Sequence, residues 1–313
     1  MDCTELQQKA DVLRSLHDRT RILVLPNVWD AAGARIFEEA GFPAVATTSA
    51  GIAWTLGYPD GERIGRDEMA DMVGRICRAA SVPVTADMEA GYGPEPADVA
   101  VTVRAVMAAG AVGLNLEDSR YGGASGLWDI AVQVERVRAA RAAAESAGVR
   151  VVINARTDVY LHGVGAESER FDHTVRRANA YREAGADCLF IPGVRDAVVI
   201  GALVQAINGP INILAGPGTP PIPELQKLGV ARVSVGSGPM RAALTLLRRI
   251  AEDLRGPGDF TSFGRDVISH AESTDCCRTV RAASLLTPCN VLARKIGLSS
   301  HRIGGANPGV PPD

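Results

Sequence analysis

The sequence predicts a single (β/α)₈ barrel. Eight short apolar runs alternate with longer Ala-rich segments of helical period up to about residue 255. Several runs are apolar on both faces, as in parallel strands that helices cover on both sides. Eight strands with their helices in roughly 240 residues match the size of this barrel. The alternative is an open doubly wound sheet, but "LPNVWDAAG" after the first strand is not its Gly-rich phosphate loop, so the barrel is favoured.

The predicted elements follow one another in a regular order. The strands are Arg21–Pro26, Ala44–Ser49, Val82–Asp87, Val112–Asp118, Arg150–Thr157, Asp187–Gly193, Ile211–Gly216 and Ala231–Gly236. Helical stretches such as "DAAGARIFEEAG" and "DVAVTVRAVMAAG" lie between them. Three such stretches contain "AG" just before the next strand, at Gly41, Gly110 and Gly185. A glycine at this point predicts a left-handed helix C-cap followed by a turn into the strand.

The alternation of strands and helices stops near Gly256. We therefore predict a catalytic barrel over residues 1–255 and a C-terminal appendage over residues 256–313. The appendage ends in a segment rich in Gly and Pro, and we expect it to be partly flexible.

Composition and charge narrow the class of protein. Hydrophobic residues make up 46% of the chain, which is enough for a large core. The net charge of −3 argues against nucleic acid or an anionic membrane as a partner. No apolar run approaches the ~20 residues that span a bilayer. The N-terminal "MDCTELQQKADVLRSL" lacks the pattern of a signal peptide, so we expect a cytoplasmic protein.

Polar residues collect where the predicted strands end, which is where a (β/α)₈ barrel places its chemistry. In strand order they are Thr47, Thr48 and Ser49; Asp87 and Glu89; Asn115, Glu117 and Asp118; Asn154, Arg156 and Asp158; Asn212; Ser234 and Ser237. Asp60 lies in the loop after the second strand. The sequence therefore predicts a ring of acids around a single arginine.

Four of these acids, Asp60, Asp87, Glu89 and Glu117, exceed what Arg156 can neutralise. Buried carboxylates need a cation, and an oxygen-only ligand set suits Mg²⁺ or Mn²⁺. The alternative is a carboxylate–arginine network that only closes the barrel mouth, and four acids at one rim make it the weaker interpretation.

No histidine lies on a strand end, which argues against zinc and against a Ser–His–Asp nucleophile. We interpret His162 as a surface residue. The turn Ser49-Ala50-Gly51 either offers backbone N–H groups to a substrate carboxylate or is a plain turn. Asn212 either binds a substrate carboxylate or satisfies loop backbone.

Several of these segments resemble the isocitrate lyase/phosphoenolpyruvate mutase superfamily. They are "LPNVWDAAGARIFEEAGFPAVATTSAGIAWTLGYPDGE", "PVTADMEAGYG", "GAVGLNLEDS", "INARTD" and "AGADCLFIPG", in order from about residue 20 to 250. The resemblance implies a (β/α)₈ barrel, often in a tetramer of swapped dimers whose last helix packs on a neighbour. It also implies Mg²⁺ and a 2-oxo acid or its enolate as the common intermediate.

The resemblance also implies roles for individual residues. Asp87 resembles the direct metal ligand, and Asp60, Glu89 and Glu117 resemble acids that reach the ion through water. Arg156 resembles the residue that contacts a substrate carboxylate or phosphonate. Ser49 and the amides of Ala50 and Gly51 resemble the carboxylate-binding turn.

The loop after the fourth strand departs from the family pattern. The lyases carry Lys-Lys/Arg-Cys-Gly-His there, with a Cys general acid/base, and the mutases carry a Lys-rich segment ending in Asn-Ser. Here the loop is "EDSRYGGASGLWD", without Cys, His or Lys. Arg120, Tyr121 and Ser125 are the remaining candidates: Tyr121 could donate a proton and Arg120 could bind an anion. The loop therefore argues against both usual routes.

The leading hypothesis is a Mg²⁺-dependent lyase-type enzyme that acts on a small 2-oxo or 2-hydroxy carboxylate through a metal-stabilised enolate, by C–C cleavage or decarboxylation. One alternative is P–C chemistry, as a phosphonomutase or phosphonopyruvate hydrolase. Another is a non-catalytic protein that binds 2-oxo acids. In each case we expect a homo-oligomer, dimer or tetramer, with a small carboxylate as ligand.

Overall fold

The computed structural model describes residues 2–18, 20–121, 126–264 and 267–278. Its strands are β1 Leu23–Leu25, β2 Asn27–Val28, β3 Val45–Thr47, β4 Val84–Asp87, β5 Gly113–Glu117, β6 Val152–Arg156, β7 Cys188–Ile191, β8 Ile211–Leu214 and β9 Arg232–Ser234. Its helices are α1 Cys3–Ser15, α2 Ala31–Glu39, α3 Ser49–Thr55, α4 Arg66–Ala79, α5 Pro96–Ala109, α6 Ile130–Ser146, α7 Arg170–Glu183, α8 Ala197–Ala206, α9 Ile222–Lys227, α10 Gly238–Arg255 and α11 His270–Arg278. Among the helices of these residues, none is long and apolar enough to cross a membrane.

The strands form one parallel sheet that curves into a barrel, in the order β1-β9-β8-β7-β6-β5-β4-β3-β2. The first predicted strand is divided at Pro26, which has no N–H to donate to a neighbouring strand. Its first half, β1, pairs with β9, and its second half, β2, pairs with β3. The carbonyl of Pro26 still accepts from the Ala46 amide at 2.9 Å. The first strand thus changes neighbours at Pro26 and joins the two ends of the sheet, and the predicted (β/α)₈ barrel is confirmed.

The glycines predicted to end helices adopt the left-handed conformation. Gly41, Gly110 and Gly185 have φ values of 87°, 97° and 111°. The helix before Gly110, α5, begins with a capping box between Glu95 and Asp98. Such local signals fix where each helix stops and the next strand begins, and so which residues reach the carboxyl end of the barrel.

Helix α10 differs from the helices that cover the barrel, because Met240 is its one buried residue. Its large apolar side chains Leu244, Leu246, Leu247 and Leu254 are 41–59% exposed. After α10, a short 3₁₀ turn at Thr261–Phe263 packs against that helix, and α11 lies against α2. The predicted boundary at residue 255 and a swapped last helix stay predictions.

Candidate active site

The strand ends bring the predicted polar side chains to one mouth of the barrel. Asp87 is the last residue of β4, Glu117 the last of β5 and Arg156 the last of β6. Ser49 follows β3 as the first residue of α3. Because the strands are parallel, their carboxyl ends share one rim, and the register pairs Glu117 directly with Arg156.

The Asp87 carboxylate accepts three hydrogen bonds from Ser49 at the start of α3 and Asn115 in β5. The backbone N–H and the hydroxyl of Ser49 both donate to its Oδ2, at 3.1 and 2.9 Å. Asn115 Nδ2 donates to Oδ1 at 3.1 Å, and Asn154 orients that amide by donating to Asn115 Oδ1 at 2.7 Å. Asp87 is buried, so this network fixes the direction of its carboxylate within the mouth.

Glu89 lies beside Asp87 in the loop after β4, with a left-handed φ of 50°. Burial and the neighbouring charges of Asp87 and Asp60 raise the pKa of Glu89 to about 8. Desolvation and Asp87 also raise the pKa of Asp60, whose side chain shares a hydrogen bond with Glu89. The backbone N–H of Glu62 donates to Glu89 Oε2. This part of the mouth therefore retains a proton near neutral pH unless another positive charge takes its place.

Arg156 lies between two carboxylates. Its Nη1 is 2.5 Å from Glu117 Oε2, and its Nε donates to Asp158 Oδ1 at 2.6 Å. The two acids raise the pKa of Arg156 against the effect of burial, so the guanidinium stays charged. Burial, reinforced by Asp158 and Asp87, raises the pKa of Glu117 in spite of Arg156. Tyr121 donates its phenolic O–H to Glu117 Oε1.

The acidic cluster can hold a divalent cation of a particular kind. Within the described residues, no three His, Cys, Asp or Glu side chains converge as a ready-made metal cage. Mg²⁺ typically binds through one or two carboxylates and fills its other positions with water and substrate oxygens. The hydrogen-bonded Asp87, with the proton-retaining Asp60–Glu89 pair beside it, fits that mode of binding.

Four other predicted residues make contacts within the protein. Asn212 is fully buried and exchanges hydrogen bonds with Ser234, at 3.2 and 3.3 Å. The guanidinium of Arg120 lies over the ring of Trp128, 4.8 Å from its centroid. The Gly51 amide points to Thr48 Oγ1 at 3.4 Å, and Ala50 lies in the buried first turn of α3. Ser125 lies outside the described residues.

His162 is exposed, in agreement with its interpretation as a surface residue, but its ring also contacts the site. Its Nε2 lies 3.1 Å from Ser119 Oγ, and Ser119 donates to Asp158, the partner of Arg156, at 2.5 Å. A histidine is thus linked to the rim, although it lies on a turn after β6 rather than on a strand end. The signal in the sequence is the i,i+4 spacing of Asp158 and His162, which the backbone bond from His162 N to Asp158 O at 2.9 Å turns into proximity.

Sequence reasoning also missed a clamp behind the loop after β4. Arg136 of α6 is fully buried and donates to the carbonyls of Ala90, Gly93 and Pro94. Its Nε donates to Gln133 Oε1 at 3.1 Å, and Gln133 donates to the Glu117 carbonyl at the same distance. One helix thereby ties the loop that carries Glu89 to the end of β5.

The chain belongs to the phosphoenolpyruvate phosphomutase family, which residues 13–255 match. This places it in the isocitrate lyase/phosphoenolpyruvate mutase superfamily. The predictions of the family and of a lyase-type enzyme of this superfamily are confirmed at that level, and the comparisons leave its specific reaction open.

Individual relatives show the range of activities near this chain. It is 33% identical to an oxaloacetate decarboxylase of Bradyrhizobium sp., over 79% of this chain and 85% of the relative. A provisionally assigned lyase/mutase from Burkholderia cenocepacia J2315 is 39% identical, with a TM-score of 0.81 over 87% of this chain and 96% of the other. A phosphonopyruvate hydrolase, solved with oxalate and Mg²⁺, is 25% identical, with a TM-score of 0.76 over 86% and 93% of the two chains.

Proposed function

We propose that the protein is a Mg²⁺-dependent lyase that decarboxylates oxaloacetate or a closely related 2-oxo diacid. The observation that carries the proposal is the pairing, at one barrel mouth, of the acidic cluster around Asp87 with the charged Arg156. Asp87 would hold the metal directly, and Asp60, Glu89 and Glu117 would hold its water shell. Mn²⁺ would fit the same oxygen ligands. An oxaloacetate decarboxylase among the relatives supports the choice of substrate class.

This reaction requires the protein to bind the substrate and to supply one proton. The C3–C4 bond of oxaloacetate breaks, CO₂ leaves, and the electron pair remains on the three-carbon fragment as an enolate that takes one proton at C3. When bound, the divalent ion supplies Lewis acidity to the 2-oxo group and so stabilises this charge. Arg156 would bind and orient a substrate carboxylate through N–H groups that Glu117 and Asp158 leave free.

The loop after β5 favours decarboxylation over aldol cleavage. Aldol cleavage needs a base for the substrate hydroxyl and an acid for the nascent carbanion, and the loop has neither thiol nor imidazole. Tyr121 lies at the mouth with its hydroxyl on Glu117. Burial and the Glu117 charge raise the pKa of this phenol, so it keeps its proton at neutral pH. We assign it the delivery of the proton to C3.

P–C chemistry is the weaker alternative. A phosphonyl group carries more negative charge than a carboxylate, and Arg120 is the one basic residue of the loop. Its guanidinium stacks on Trp128. The phosphonopyruvate hydrolase among the structural relatives keeps phosphonopyruvate in the substrate panel.

The proposal extends to assembly and location. We propose a cytoplasmic homo-oligomer whose subunits cover the exposed leucines of α10, because such a row of apolar side chains is costly in water. The net charge of −3 supports a small carboxylate rather than nucleic acid or a membrane surface as the partner.

The test is turnover by the full-length protein with Mg²⁺. Pyruvate release from oxaloacetate is followed against the rate with metal alone, beside isocitrate, methylisocitrate, dimethylmalate and phosphonopyruvate. We expect oxaloacetate turnover that EDTA and Asp87→Asn abolish, and that Glu135→Gln on the exposed face of α6 preserves. Binding of oxalate without turnover of any substrate would instead identify a 2-oxo-acid-binding protein. Binding of neither Mg²⁺ nor oxalate would refute the site.

A further inference from the structure

A chain of hydrogen bonds leads from a half-exposed histidine to the guanidinium at the barrel mouth. It runs from His162 to Ser119, from Ser119 to Asp158, and from Asp158 to Arg156. We propose that Ser119 and His162 are positioning residues that hold Arg156, through Asp158, in the orientation that receives a substrate carboxylate. The inference rests on the proposed function only in assigning that carboxylate to Arg156.

Asp158 is the residue on which the orientation of Arg156 depends. It is fully buried, and its backbone N–H donates to Asp118 Oδ1 at 2.9 Å. Its Oδ1 accepts from Arg156 Nε at 2.6 Å, so its other oxygen, Oδ2, needs a donor of its own. The hydroxyl of Ser119 supplies that donor at 2.5 Å. Without it, the carboxylate could improve its hydrogen bonding only by rotating, and rotation would move the oxygen that holds Arg156.

His162 in turn fixes the direction of the Ser119 hydroxyl. A hydroxyl has one proton, which Ser119 gives to Asp158, so its oxygen is left to accept. The imidazole Nε2 at 3.1 Å can then only be the donor, which selects the tautomer with the proton on Nε2. The same nitrogen is 3.8 Å from Asp158 Oδ2. The serine is therefore held between the imidazole and the carboxylate, with Ser119 itself buried.

Arg156, at the end of this series of hydrogen bonds, faces the proposed substrate. The guanidinium has five N–H donors, of which one on Nε goes to Asp158 and one on Nη1 to Glu117. Two fixed contacts on different edges define the plane of the group, and the remaining donors then point in set directions. An arginine fixed in this way before substrate arrives loses less freedom on binding.

The first experiment measures oxalate binding in the presence of Mg²⁺ by calorimetry. We expect Ser119→Ala to weaken oxalate binding about tenfold and His162→Leu severalfold, because each removes one link. His162→Gln, whose amide can donate from a similar position, should restore most of the affinity. The double variant should bind like Ser119→Ala alone, since the two residues act in series. Mg²⁺ affinity without oxalate should change less than about twofold. The control is His270→Gln, on the exposed part of α11.

A second readout separates this inference from the proposed function. Crystal structures of the wild type and Ser119→Ala, without ligand, show directly whether Asp158 and Arg156 move. We expect the Arg156 Nε–Asp158 Oδ1 contact to be lost or the guanidinium to turn. If both side chains keep their positions and oxalate affinity is unchanged, the inference is wrong. If the wild type binds no oxalate but Arg156 moves in the variant, the positioning stands and the proposed function fails.

Discussion

Glu117 and Arg156 are direct partners across β5 and β6, and their side chains meet at 2.5 Å between Oε2 and Nη1. The arginine thus carries one charge between two acids, since Asp158 binds its Nε on the other side. A site with this excess of negative charge attracts cations through its acids and carboxylates through the free edge of Arg156. Both properties are needed for a metal-dependent reaction of a carboxylate.

Replacing Arg156 by Lys should weaken substrate binding and leave metal binding almost unchanged. An ammonium group is a point charge and cannot contact Glu117, Asp158 and a substrate carboxylate in one plane. We expect kcat/KM for oxaloacetate to fall about 100-fold, mainly through KM, with Mg²⁺ affinity almost unchanged. The control is Arg138→Lys, whose exposed side chain pairs with Glu135. An unchanged KM in Arg156→Lys would remove Arg156 from the substrate site.

Proton release should accompany metal binding. The pKa of Glu89 is raised to about 8 from an ordinary value of 4.5, so the metal-free protein holds a proton there at neutral pH. A divalent ion must compete with that proton, and Mg²⁺ affinity should therefore rise between pH 6 and pH 8. Calorimetry in buffers of different ionisation enthalpy measures the released protons. Glu89→Gln should abolish the release, and an equal release in that variant would contradict the assignment.

The same shift has a consequence for stability without metal. Between pH 4.5 and about 8 the folded protein holds the Glu89 proton and the unfolded chain releases it. Unfolding therefore releases a proton, and stability declines as pH rises through this window. Saturating Mg²⁺ should reverse the trend, which thermal unfolding with and without the ion can measure.

The parts of the site that local pattern determines were predictable. Asp87 and Arg156 end apolar strands, and parallel strands carry such residues to one rim. Asn212 also lies in a predicted strand, but it is buried in β8 and bonded to Ser234. The depth of a residue in the barrel depends on the register between strands, which a single strand pattern does not contain.

The parts that depend on distant contacts were not predictable. His162 reaches Ser119 across 43 positions of the chain, and Arg136 reaches Ala90 across 46. A contact between such distant positions leaves no periodic pattern in the sequence. In addition, a histidine after a strand and an arginine on a helix are usually exposed. Pro26 shows in the sequence that one N–H is missing from the first strand. That the strand exchanges one neighbouring strand for another at this point follows only from the closed barrel.

Arg136→Met should test the clamp behind the loop that follows β4. The variant removes the donor from the carbonyls of Ala90, Gly93 and Pro94, and the carbonyl of Ala90 is buried. We expect a loss of about 3–5 kcal/mol in the free energy of unfolding, and weaker Mg²⁺ binding in the protein that remains folded. Arg138→Met, two residues further along α6 and on its exposed face, should cost less than about 0.5 kcal/mol. Equal losses in the two variants would exclude a clamp.

The exposed leucines of α10 should determine the state of association. Leu247 is 59% exposed and Leu254 49%, on a helix that contributes one buried residue to its own subunit. We expect the wild type to be a dimer or tetramer by light scattering, and Leu247→Glu to dissociate it by placing a charge in the interface. The control is Arg248→Glu, the neighbouring exposed position. A monomeric wild type would show that α10 has another role.

His17 should make the fold sensitive to mild acid. The residue follows α1, is buried, and its Nδ1 lies 2.8 Å from the Leu13 carbonyl. Burial and the nearby Arg232 lower its pKa from 6.5 to about 4. Below pH 6.5 the unfolded chain therefore binds a proton that the folded protein does not. Stability consequently declines as the pH is lowered from 6.5 to about 4. The loss from this residue between pH 7 and pH 5 should be roughly 2 kcal/mol.

Urea unfolding at the two pH values measures this loss, and His17→Gln isolates it from the titration of the carboxylates. The glutamine can keep a hydrogen bond to Leu13 but has no proton to gain, so its stability should fall less between pH 7 and pH 5 than that of the wild type. His270→Gln should fall as much as the wild type, because His270 is exposed in α11. The same pH dependence in His17→Gln and the wild type would show that His17 is not the group that senses acid.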